Sequence, residues 1–348
     1  MRVWWSERLS RHLKVAWLQR GALACVLWPL AALMWVLVRL RKLLFQVGVL
    51  RAQRLPVPVV VVGNVIVGGA GKTPTVMAVV ALLQRHGFRP GIVSRGYGRH
   101  ANDVQEVKAT TPVSESGDEP LLLHLRCQVP VWVGRDRVAA ARRLLQSNHD
   151  VNIVVSDDGL QHHRLHRDAQ VVVFDERGVG NGWLLPAGPL REPLPDSVPA
   201  RSLVVYNAEQ PSMRWPGQIV QRSLSGAVLL EAWWEGQPAT HEALQALQDQ
   251  PIWAAAGMAQ PERFFSMLRS AGLTQLRALP LPDHFDFNTL PWPADALDVI
   301  VTEKDAVKLQ PARLASRAGK IRVWVAPLNF ALHPASCAAL LALLPTSH

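Results

Sequence analysis

The residues with the clearest chemical potential form a glycine-rich segment after an apolar run. From Val59 to Pro74 the chain reads Val-Val-Val-Val-Gly-Asn-Val-Ile-Val-Gly-Gly-Ala-Gly-Lys-Thr-Pro. A buried strand, a glycine-rich turn and Lys-Thr at a helix start make up a P-loop, whose backbone N–H groups hold phosphates. In such a loop Lys72 contacts the β- and γ-phosphates and the Thr73 hydroxyl binds Mg²⁺. The pattern predicts nucleotide binding by Ile66, Val67, Gly68, Gly69, Ala70, Gly71, Lys72 and Thr73.

One position departs from the strict P-loop pattern. Ile66 stands five residues before Gly71, where that pattern has glycine. We expect Gly68 and Gly69 to supply the backbone freedom instead. The alternative is a plain glycine-rich turn, which Lys-Thr at the helix start disfavours.

Two carboxylates follow a second apolar run. Asp157 and Asp158 come directly after residues 151–156, and ligands gather beyond the carboxyl ends of strands in parallel sheets. We expect both to serve Mg²⁺, although Asp-Asp-Gly is also ordinary turn chemistry. A zinc site at His162, His163 and His166 is less favoured because oxygen ligands suit Mg²⁺. His162 stays a candidate phosphate or substrate contact.

Further polar residues follow other predicted strands or lie in a later motif. Arg95 and Arg177 each follow an apolar run and offer a guanidinium group to phosphate. Asp118 is open to two interpretations, a helix N-cap or a catalytic acid or base. Asp283 precedes His284, and a carboxylate beside a histidine can orient it as a base, although a lone histidine is more often structural.

The elements that must position these residues alternate between strand and helix. The pattern predicts strands at Val57–Val62, Gly91–Ser94, Val129–Val133, Val151–Val155, Val171–Phe174 and Leu203–Tyr206, and helices at Thr73–Arg85, Leu121–Cys127 and Arg137–Gln146. Such alternation is typical of a doubly wound parallel sheet of the P-loop NTPase type. A second, smaller α/β domain is predicted from strands Ile252–Ala256, Val299–Thr302 and Ile321–Ala326 with a helix at Glu262–Ser270.

The predicted organisation has four parts. Residues 1–54 form a membrane arm, 55–215 the P-loop domain, 216–234 a β-hairpin linker and 235–348 the C-terminal α/β domain. Asp118 and His284 then fall in different domains, so their joint action would require domain closure about the linker.

The arm combines positive charge with an apolar run. The chain carries 37 Lys and Arg against 27 Asp and Glu, a net charge of +10. The first 54 residues hold ten of the basic residues and only one acidic residue, which favours an anionic membrane and disfavours nucleic acid as partner. Gly21–Val38 is uncharged and reaches about 27 Å as a helix, barely a bilayer core. Trp5, Leu9, Leu13 and Trp17 add the pattern of an interfacial amphipathic helix.

A cleaved signal peptide is an alternative interpretation of the arm, but no small-residue cleavage site follows the apolar run. A buried core helix is the other alternative. The positive-inside rule does not orient the arm because both flanks are basic. Three cysteines without a CxxC pair indicate a reducing compartment and no disulfide framework.

Taken together, the chain resembles the tetraacyldisaccharide 4′-kinases of lipid A biosynthesis. The matching stretches run in order across nearly the whole chain after the arm: GNVIVGGAGKTP (63–74), SRGYGR (94–99), GDEP (117–120), DDGLQH (157–162), RGVGNGWLLPAGPLRE (177–192), AGMAQPERFF (256–265), DHFDF (283–287) and VTEKDAVK (301–308). Ile66 departs from the family, which usually has a small hydroxyl residue there.

The resemblance implies a kinase that moves the ATP γ-phosphate to the 4′-hydroxyl of an acylated glucosamine disaccharide 1-phosphate, with Mg²⁺ as cofactor. It implies that Asp118 activates the hydroxyl with help from His284, while Asp157 and Asp158 serve Mg²⁺. We assign positioning of phosphate or substrate to Arg95, Glu119, His162, Arg177 and Asp283. The expected location is the cytoplasmic face of the inner membrane, among membrane lipids, with no obligate protein partner.

A competing interpretation is a P-loop switch ATPase that localises to membranes, since its loop also reads GGxGKT. The second α/β domain with Asp283 and His284 disfavours it, because a switch has no need of that pair. A nucleotide-binding scaffold without turnover is weaker still, given the density of polar motifs.

Overall fold

The chain forms two compact units, each assembled from separate chain segments. The computed structural model describes residues 13, 15–99, 101, 103–315 and 321–345. Unit 1 comprises Met1–Ser94, Asp136–Val220 and Leu332–His348, and unit 2 comprises Arg95–Arg135 and Gln221–Ala331. These units do not coincide with the predicted boundaries, because residues 95–135 group with the later segment and residues 332–348 with the earlier ones.

The strands of the described residues are, in chain order, β1 Val59–Gly63, β2 Pro90–Ser94, β3 Gln105–Val107, β4 Val131–Val133, β5 Ile153–Asp157, β6 Ala169–Asp175, β7 Ser202–Asn207, β8 Gln218–Ile219, β9 Gln221–Leu224, β10 Val228–Leu229, β11 Ile252–Ala256, β12 Leu276–Pro280, β13 Asp298–Val301, β14 Arg322–Val325 and β15 Leu328–Ala331.

The helices of the same residues are α1 Ala22–Gln46, α2 Lys72–Arg85, α3 Val113–Ser116, α4 Asp118–Cys127, α5 Arg137–Ser147, α6 Leu230–Trp234, α7 His241–Gln245, α8 Pro261–Ser270, α9 Glu303–Ala306, α10 Pro311–Ala315 and α11 Pro334–Ala342. The strands and helices predicted for the alternating α/β series are confirmed, with bounds that shift by a few residues.

Parallel strands in the order β2-β5-β1-β6-β7-β8 form the sheet of unit 1. Every residue of β1, β2 and β5 is buried, which explains the continuous apolar runs in the sequence. The register places Val62 opposite both Asp157 and Val171. Because the strands are parallel, the segments that follow β1, β5, β6 and β7 leave the sheet at one edge. The predicted α/β class with a parallel sheet is therefore confirmed.

Helix α1 is the long apolar element of unit 1. It spans 25 residues with Pro29 inside, a length of about 37 Å. It is long and apolar enough to cross a membrane. Only 11% of an apolar 18-residue stretch within it is buried in the protein. Helix α1 extends the predicted apolar run and includes Lys42. The amphipathic pattern begins at Trp5 and Leu9, which lie outside the described residues.

Two side chains just before α1 attach this part of the arm to the rest of unit 1. The indole Nε1 of Trp17 donates to the Pro186 carbonyl at 2.9 Å. The Arg20 guanidinium donates to the Asn181 carbonyl and lies over the Trp183 ring at 5.2 Å. The arm is thus held by specific contacts and does not rest on apolar burial alone.

The sheet of unit 2 has the order β10-β14-β13-β11-β12. Strands β12, β11, β13 and β14 are parallel, and β10 is antiparallel. Its apolar cluster includes Leu244, Phe264, Phe265, Leu268 and Ile300. The second α/β series predicted from the sequence is confirmed.

The predicted β-hairpin at residues 216–234 is wrong. Strand β9 pairs with β15, and β10 pairs with β14, so the two runs do not pair with each other. Residues 230–234 form α6. Alternating runs beside Ser225-Gly226 suit any free strand edge, so their pattern alone does not identify the partner.

Candidate active site

The segment after β1 has the conformation of a phosphate-binding loop. Gly68 and Gly71 have φ values of +98° and +87°, which glycine adopts at low cost. Gly71 precedes α2, and no side chain caps that helix, so its first N–H groups stay available for anions. Asn207, at the end of β7, donates from Nδ2 to the Ala70 carbonyl at 3.1 Å. A Cβ at Gly71 would collide with Asn207, so this position requires glycine.

Lys72 contacts Asn64, before the glycines of the loop, and lies near Asp158, which directly follows β5. Its Nζ lies 3.3 Å from Asn64 Oδ1 and 3.9 Å from Asp158 Oδ1. Asn64 is fully buried and donates from Nδ2 to the Gly68 carbonyl at 3.1 Å. The amide of Asn64 therefore holds both the loop backbone and the lysine.

Asp158 is held by two basic side chains. Arg191 donates to its two carboxylate oxygens at 2.9 and 3.0 Å, and Lys72 lies nearby. Burial alone would raise the pKa of Asp158, but the charges of Lys72 and Arg191 outweigh it and lower that pKa. Asp158 is thus an anion at neutral pH.

Asp157 is fixed from β2. It is 2% exposed, and its Oδ2 accepts a hydrogen bond from the Ser94 hydroxyl at 2.8 Å. Carboxylate and hydroxyl oxygens are ligands that Mg²⁺ prefers, and the donors of Asp157, Asp158 and Thr73 therefore suit that ion. No cluster of three or more His, Cys, Asp or Glu side chains that could hold a metal occurs among the described residues.

Arg177 lies against the phosphate-binding loop. Its guanidinium pairs with Asp175 at 2.7 Å and donates to the carbonyls of Val67 and Gly69 at 3.1 and 3.2 Å. Arg177 therefore orients the loop backbone, a contact that the sequence pattern did not predict.

His162 lies beside Asp136, with its Nε2 3.9 Å from Oδ1. Burial, followed by the positive charge of Arg137, lowers the pKa of His162 to about 4. The imidazole is therefore neutral at neutral pH, and His162 can act on a phosphate or substrate only as a neutral hydrogen-bonding group.

Unit 2 contains the second group of predicted residues, around the start of α4. The carboxylate of Asp118 uses Oδ1 to accept from the Glu119 N–H at 2.9 Å and Oδ2 to contact His284 Nδ1 at 2.8 Å. The helix-cap interpretation of Asp118 is wrong, because α4 begins at Asp118 itself with Gly117 in the N-cap position and no side-chain cap.

Asp118 and His284 belong to the same unit, which corrects the prediction of separate domains. Residues 95–135 fold with residues 221–331, so the pair forms inside unit 2 without any domain closure. The sequence interval of 166 residues suggested two domains because the returning chain path is not visible in the sequence.

The two members differ in exposure and in pKa. The side chain of His284 is 38% exposed, against 7% for Asp118. The hydrogen bond to Asp118 raises the pKa of His284. Burial would raise the pKa of Asp118, but the hydrogen bond from His284 and the charge of Lys304 outweigh it and lower that pKa.

Three further predicted residues also lie in unit 2. Asp283 Oδ1 lies 3.8 Å from His284 Nε2 and accepts a hydrogen bond from Lys304 Nζ at 3.0 Å. Glu119 lies 3.7 Å from the same Nζ. Arg95 is exposed directly after β2.

Sequence reasoning missed several residues of these groups. The missed side chains are Asn64, Ser94, Arg191, Asn207 and Lys304. All but Asn207 stand inside the motif stretches quoted above, so a signal existed, but spacing did not indicate which partner each would meet.

A parallel α/β sheet with a P-loop and adjacent carboxylates defines a P-loop nucleotide-binding protein. In its second unit, a buried carboxylate contacts a partly exposed imidazole. Residues 23–345 match the family model described as Tetraacyldisaccharide-1-P 4′-kinase. The tetraacyldisaccharide 4′-kinase of Leptothrix cholodnii is 54% identical over 98% of this chain and 97% of its own length. That of Methylibium petroleiphilum is 55% identical over 95% and 93%.

A solved structure with the same fold comes from the same family of kinases. A crystal structure of LpxK from Aquifex aeolicus in complex with ATP superposes with a TM-score of 0.75 at 25% identity, covering 93% of this chain and all of the other. The chain belongs to the tetraacyldisaccharide-1-phosphate 4′-kinase family. The predicted family and the predicted ATP-dependent phosphotransferase activity are thereby confirmed.

Proposed function

We propose that the chain transfers the γ-phosphate of ATP to the 4′-hydroxyl of a tetraacyldisaccharide 1-phosphate, with its own residues divided between phosphate binding and proton transfer. Family membership supports the reaction. The observation that carries the division of roles is the 2.8 Å contact between His284 Nδ1 and Asp118 Oδ2.

Unit 1 supplies the nucleotide site. Residues Ile66 to Thr73 and the first turn of α2 bind the phosphates through backbone N–H groups, and Lys72 contacts the γ-phosphate. Thr73, Asp157 and Asp158 would hold Mg²⁺, which when bound neutralises charge on the phosphates. Arg177 keeps the loop carbonyls turned away from the anion by its bonds to Val67 and Gly69.

Unit 2 supplies the proton acceptor. We assign that role to His284 Nε2 and give Asp118 the role of orienting the imidazole, which reverses the roles predicted from the resemblance. Asp118 is nearly buried and already engages both oxygens, whereas the imidazole is more exposed. A carboxylate on Nδ1–H fixes the tautomer that leaves a lone pair on Nε2.

The step balances with these groups alone. The 4′-hydroxyl O–H bond breaks and its proton passes to Nε2, while the oxygen forms a bond to the γ-phosphorus. The bond from that phosphorus to the β,γ-bridging oxygen breaks, and ADP leaves. Asp283, 3.8 Å from Nε2, stabilises the imidazolium that results.

The acceptor also supports a place at a membrane. A tetraacyl lipid resides in a bilayer, and α1 is apolar enough to enter one. We propose that the enzyme works at the cytoplasmic face of the inner membrane, where ATP is available.

The pH dependence of kcat/KM tests the proton acceptor. With His284 as acceptor, the rate falls as the pH drops through the raised pKa of His284, above the ordinary value near 6.5. The assay uses the full chain in detergent with ATP, Mg²⁺ and the lipid acceptor. His284→Gln should abolish this fall in rate at acidic pH (the acidic limb of the pH profile), together with most of the activity.

A rate that stays flat down to about pH 4, near the ordinary carboxyl pKa, would instead make Asp118 the acceptor. The same assay with γ-labelled ATP separates kinase from switch ATPase. A kinase puts the label in the lipid phase, and a switch releases it only as free phosphate.

A further inference from the structure

One lysine of unit 2 contacts the sequence neighbours of both members of the Asp118–His284 pair. Lys304 Nζ donates to Asp283 Oδ1 at 3.0 Å, and Asp283 directly precedes His284. The same Nζ lies 3.7 Å from Glu119 Oε1, and Glu119 directly follows Asp118. The ammonium group therefore joins α4 to the loop that carries the histidine.

We infer that Lys304 is a positioning residue that sets the geometry of the Asp118–His284 pair by bridging Asp283 and Glu119. The inference rests on the proposed function, because it presumes that this pair handles the hydroxyl proton. A sequence pattern cannot show it, since Lys304 looks like part of an ordinary helix start.

The backbone that carries Lys304 is itself fixed. Thr302 caps α9 by accepting from the Asp305 N–H at 3.2 Å. Glu303, 7% exposed, accepts from Arg126 Nε at 3.0 Å and from the Trp233 indole at 3.1 Å. Arg126 is near the end of α4, and Glu119 is in its first turn. Consecutive residues of α9 therefore bind both ends of the helix that begins with Asp118.

The loop that carries His284 needs such a restraint. His284 has a φ of +62°, a left-handed conformation that is unfavourable for a non-glycine residue. A loop in that conformation relaxes unless its surroundings hold it. The hydrogen bond from Lys304 to Asp283 restrains this loop one residue before the histidine.

The charge of Lys304 acts on the pair as well. Burial would lower the pKa of Lys304, but Glu119, Asp118 and Asp283 outweigh it and raise that pKa, so the group stays protonated. The charged groups that act on His284 are Asp118, Asp283 and Lys304, and the Tyr97 ring lies 5.9 Å from the imidazole. Lys308 adds positive charge near Asp118. Lys304 lowers the pKa of His284, so its removal should raise that pKa.

The test compares Lys304→Met and Lys304→Arg in the full chain, with kcat, KM for ATP and the pH profile as readouts. For Lys304→Met we expect a fall in kcat of about 10- to 100-fold, the usual cost of a small misplacement. The acidic limb of the profile should move to higher pH, and the KM for ATP should change less than about twofold because unit 1 is untouched. Lys304→Arg should restore most of the rate, since it keeps the charge.

Arg322→Met is the matched control. Arg322 pairs with Asp298 at 2.7 Å in the same unit, but at the amino ends of β14 and β13. This variant should keep kcat and the pH limb near wild type even if its melting temperature falls.

Two outcomes overturn the inference. The first is a Lys304→Met variant with wild-type kcat and an acidic limb of the pH profile at the wild-type position. The second is a loss of rate that Arg322→Met reproduces. If Asp118→Asn and His284→Gln also retain full activity, the proposed function fails as well. If those two variants lose activity while Lys304→Met does not, only the role of Lys304 fails.

Discussion

The Nζ atom of Lys42, on the apolar helix α1, lies 2.5 Å from Oε2 of Glu192. Oε1 of Glu192 accepts from the Gln161 amide at 3.1 Å. Arg191 lies 3.3 Å from Gln161 Oε1 and binds the carboxylate of Asp158. A continuous polar path therefore runs inside unit 1 from α1 to the aspartate beside the P-loop lysine.

Lys42→Met should weaken both stability and ATP binding. The Lys42 side chain is 31% exposed, so solvent screens the pair, and we expect a loss of about 1 kcal/mol of unfolding free energy. A coupling free energy of about 1 kcal/mol along this polar path should raise the KM for ATP about fivefold. Thermal melting and steady-state kinetics in detergent measure the two effects.

Arg54→Met is the control for Lys42→Met. Arg54 pairs with Asp168 at 3.0 Å in unit 1, but its side chain is 73% exposed. Both parameters should stay near wild type. Equal effects from the two variants would refute a specific path from α1.

Lys72→Ala should lower kcat by about 10²–10³, because it removes a cation at the site where negative charge develops. The circular dichroism spectrum should stay unchanged. Lys108→Ala, at an exposed lysine paired with Glu106, should keep full activity. A folded Lys72→Ala variant with near wild-type turnover contradicts the P-loop assignment.

Replacing Leu33, Leu37 and Leu40 of α1 by Gln should release the protein from lipid vesicles. Each leucine is at least half-exposed, and burying one leucine contributes about 1.5–3 kcal/mol. The triple change should reduce partitioning into anionic vesicles by about 100-fold or more. Sedimentation with vesicles measures this effect.

Leu297→Gln, at a leucine that is 63% exposed in unit 2, should leave vesicle binding intact. Activity on detergent-solubilised acceptor should survive the α1 changes, because Trp17, Arg20 and Lys42 keep their contacts. Undiminished sedimentation of the triple variant argues against α1 as the membrane element.

A double-mutant cycle on Asp118 and His284 measures whether they act together. Asp118→Asn and His284→Gln should each lower kcat by about 10²–10⁴, the usual contribution of a positioned acid–base group. The double variant should be scarcely worse than the poorer single one, because groups that act as a unit are not additive. Fully multiplicative losses, or losses that follow only unfolding, would show independent structural roles.

The contribution of the Asp118–His284 pair to the stability of the folded protein should depend on pH in a defined direction. The lowered pKa of Asp118 contributes stability that is present above its unfolded value near 4 and lost at lower pH. The raised pKa of His284 contributes stability that is full below about 6.5 and lost as the pH rises through its folded value. Asp118→Asn should therefore reduce the melting temperature more at pH 5.5 than at pH 9. Equal reductions at both values would contradict this linkage.

Local signals in the sequence predicted the P-loop and the buried strands well. Gly68 to Thr73 are adjacent in the chain, so one turn determines their geometry. Asp157 and Asp158 were singled out because they lie at the carboxyl end of a predicted strand, where ligands gather in parallel sheets.

Contacts between distant segments escaped prediction. The bonds of Arg191 to Asp158 and of Lys304 to Asp283 depend on how loops return to the sheet. The pairing of β9 with β15 and the sharing of unit 2 between two segments depend on edges that only the complete fold defines. The proximity of Asp118 and His284 was expected from the family resemblance, and no spacing rule would have supplied it.

The split origin of unit 2 has a consequence during synthesis on the ribosome. Asp118 emerges 166 residues before His284, an interval of roughly 8–33 s at typical rates of about 5–20 residues per second. Throughout that interval α4 carries Leu121, Leu122 and Leu123, which are buried in the finished protein, without the later segment that completes its unit. A nascent chain halted before residue 252 lacks β11, β13 and β14, so it should expose these leucines to chaperones and proteases.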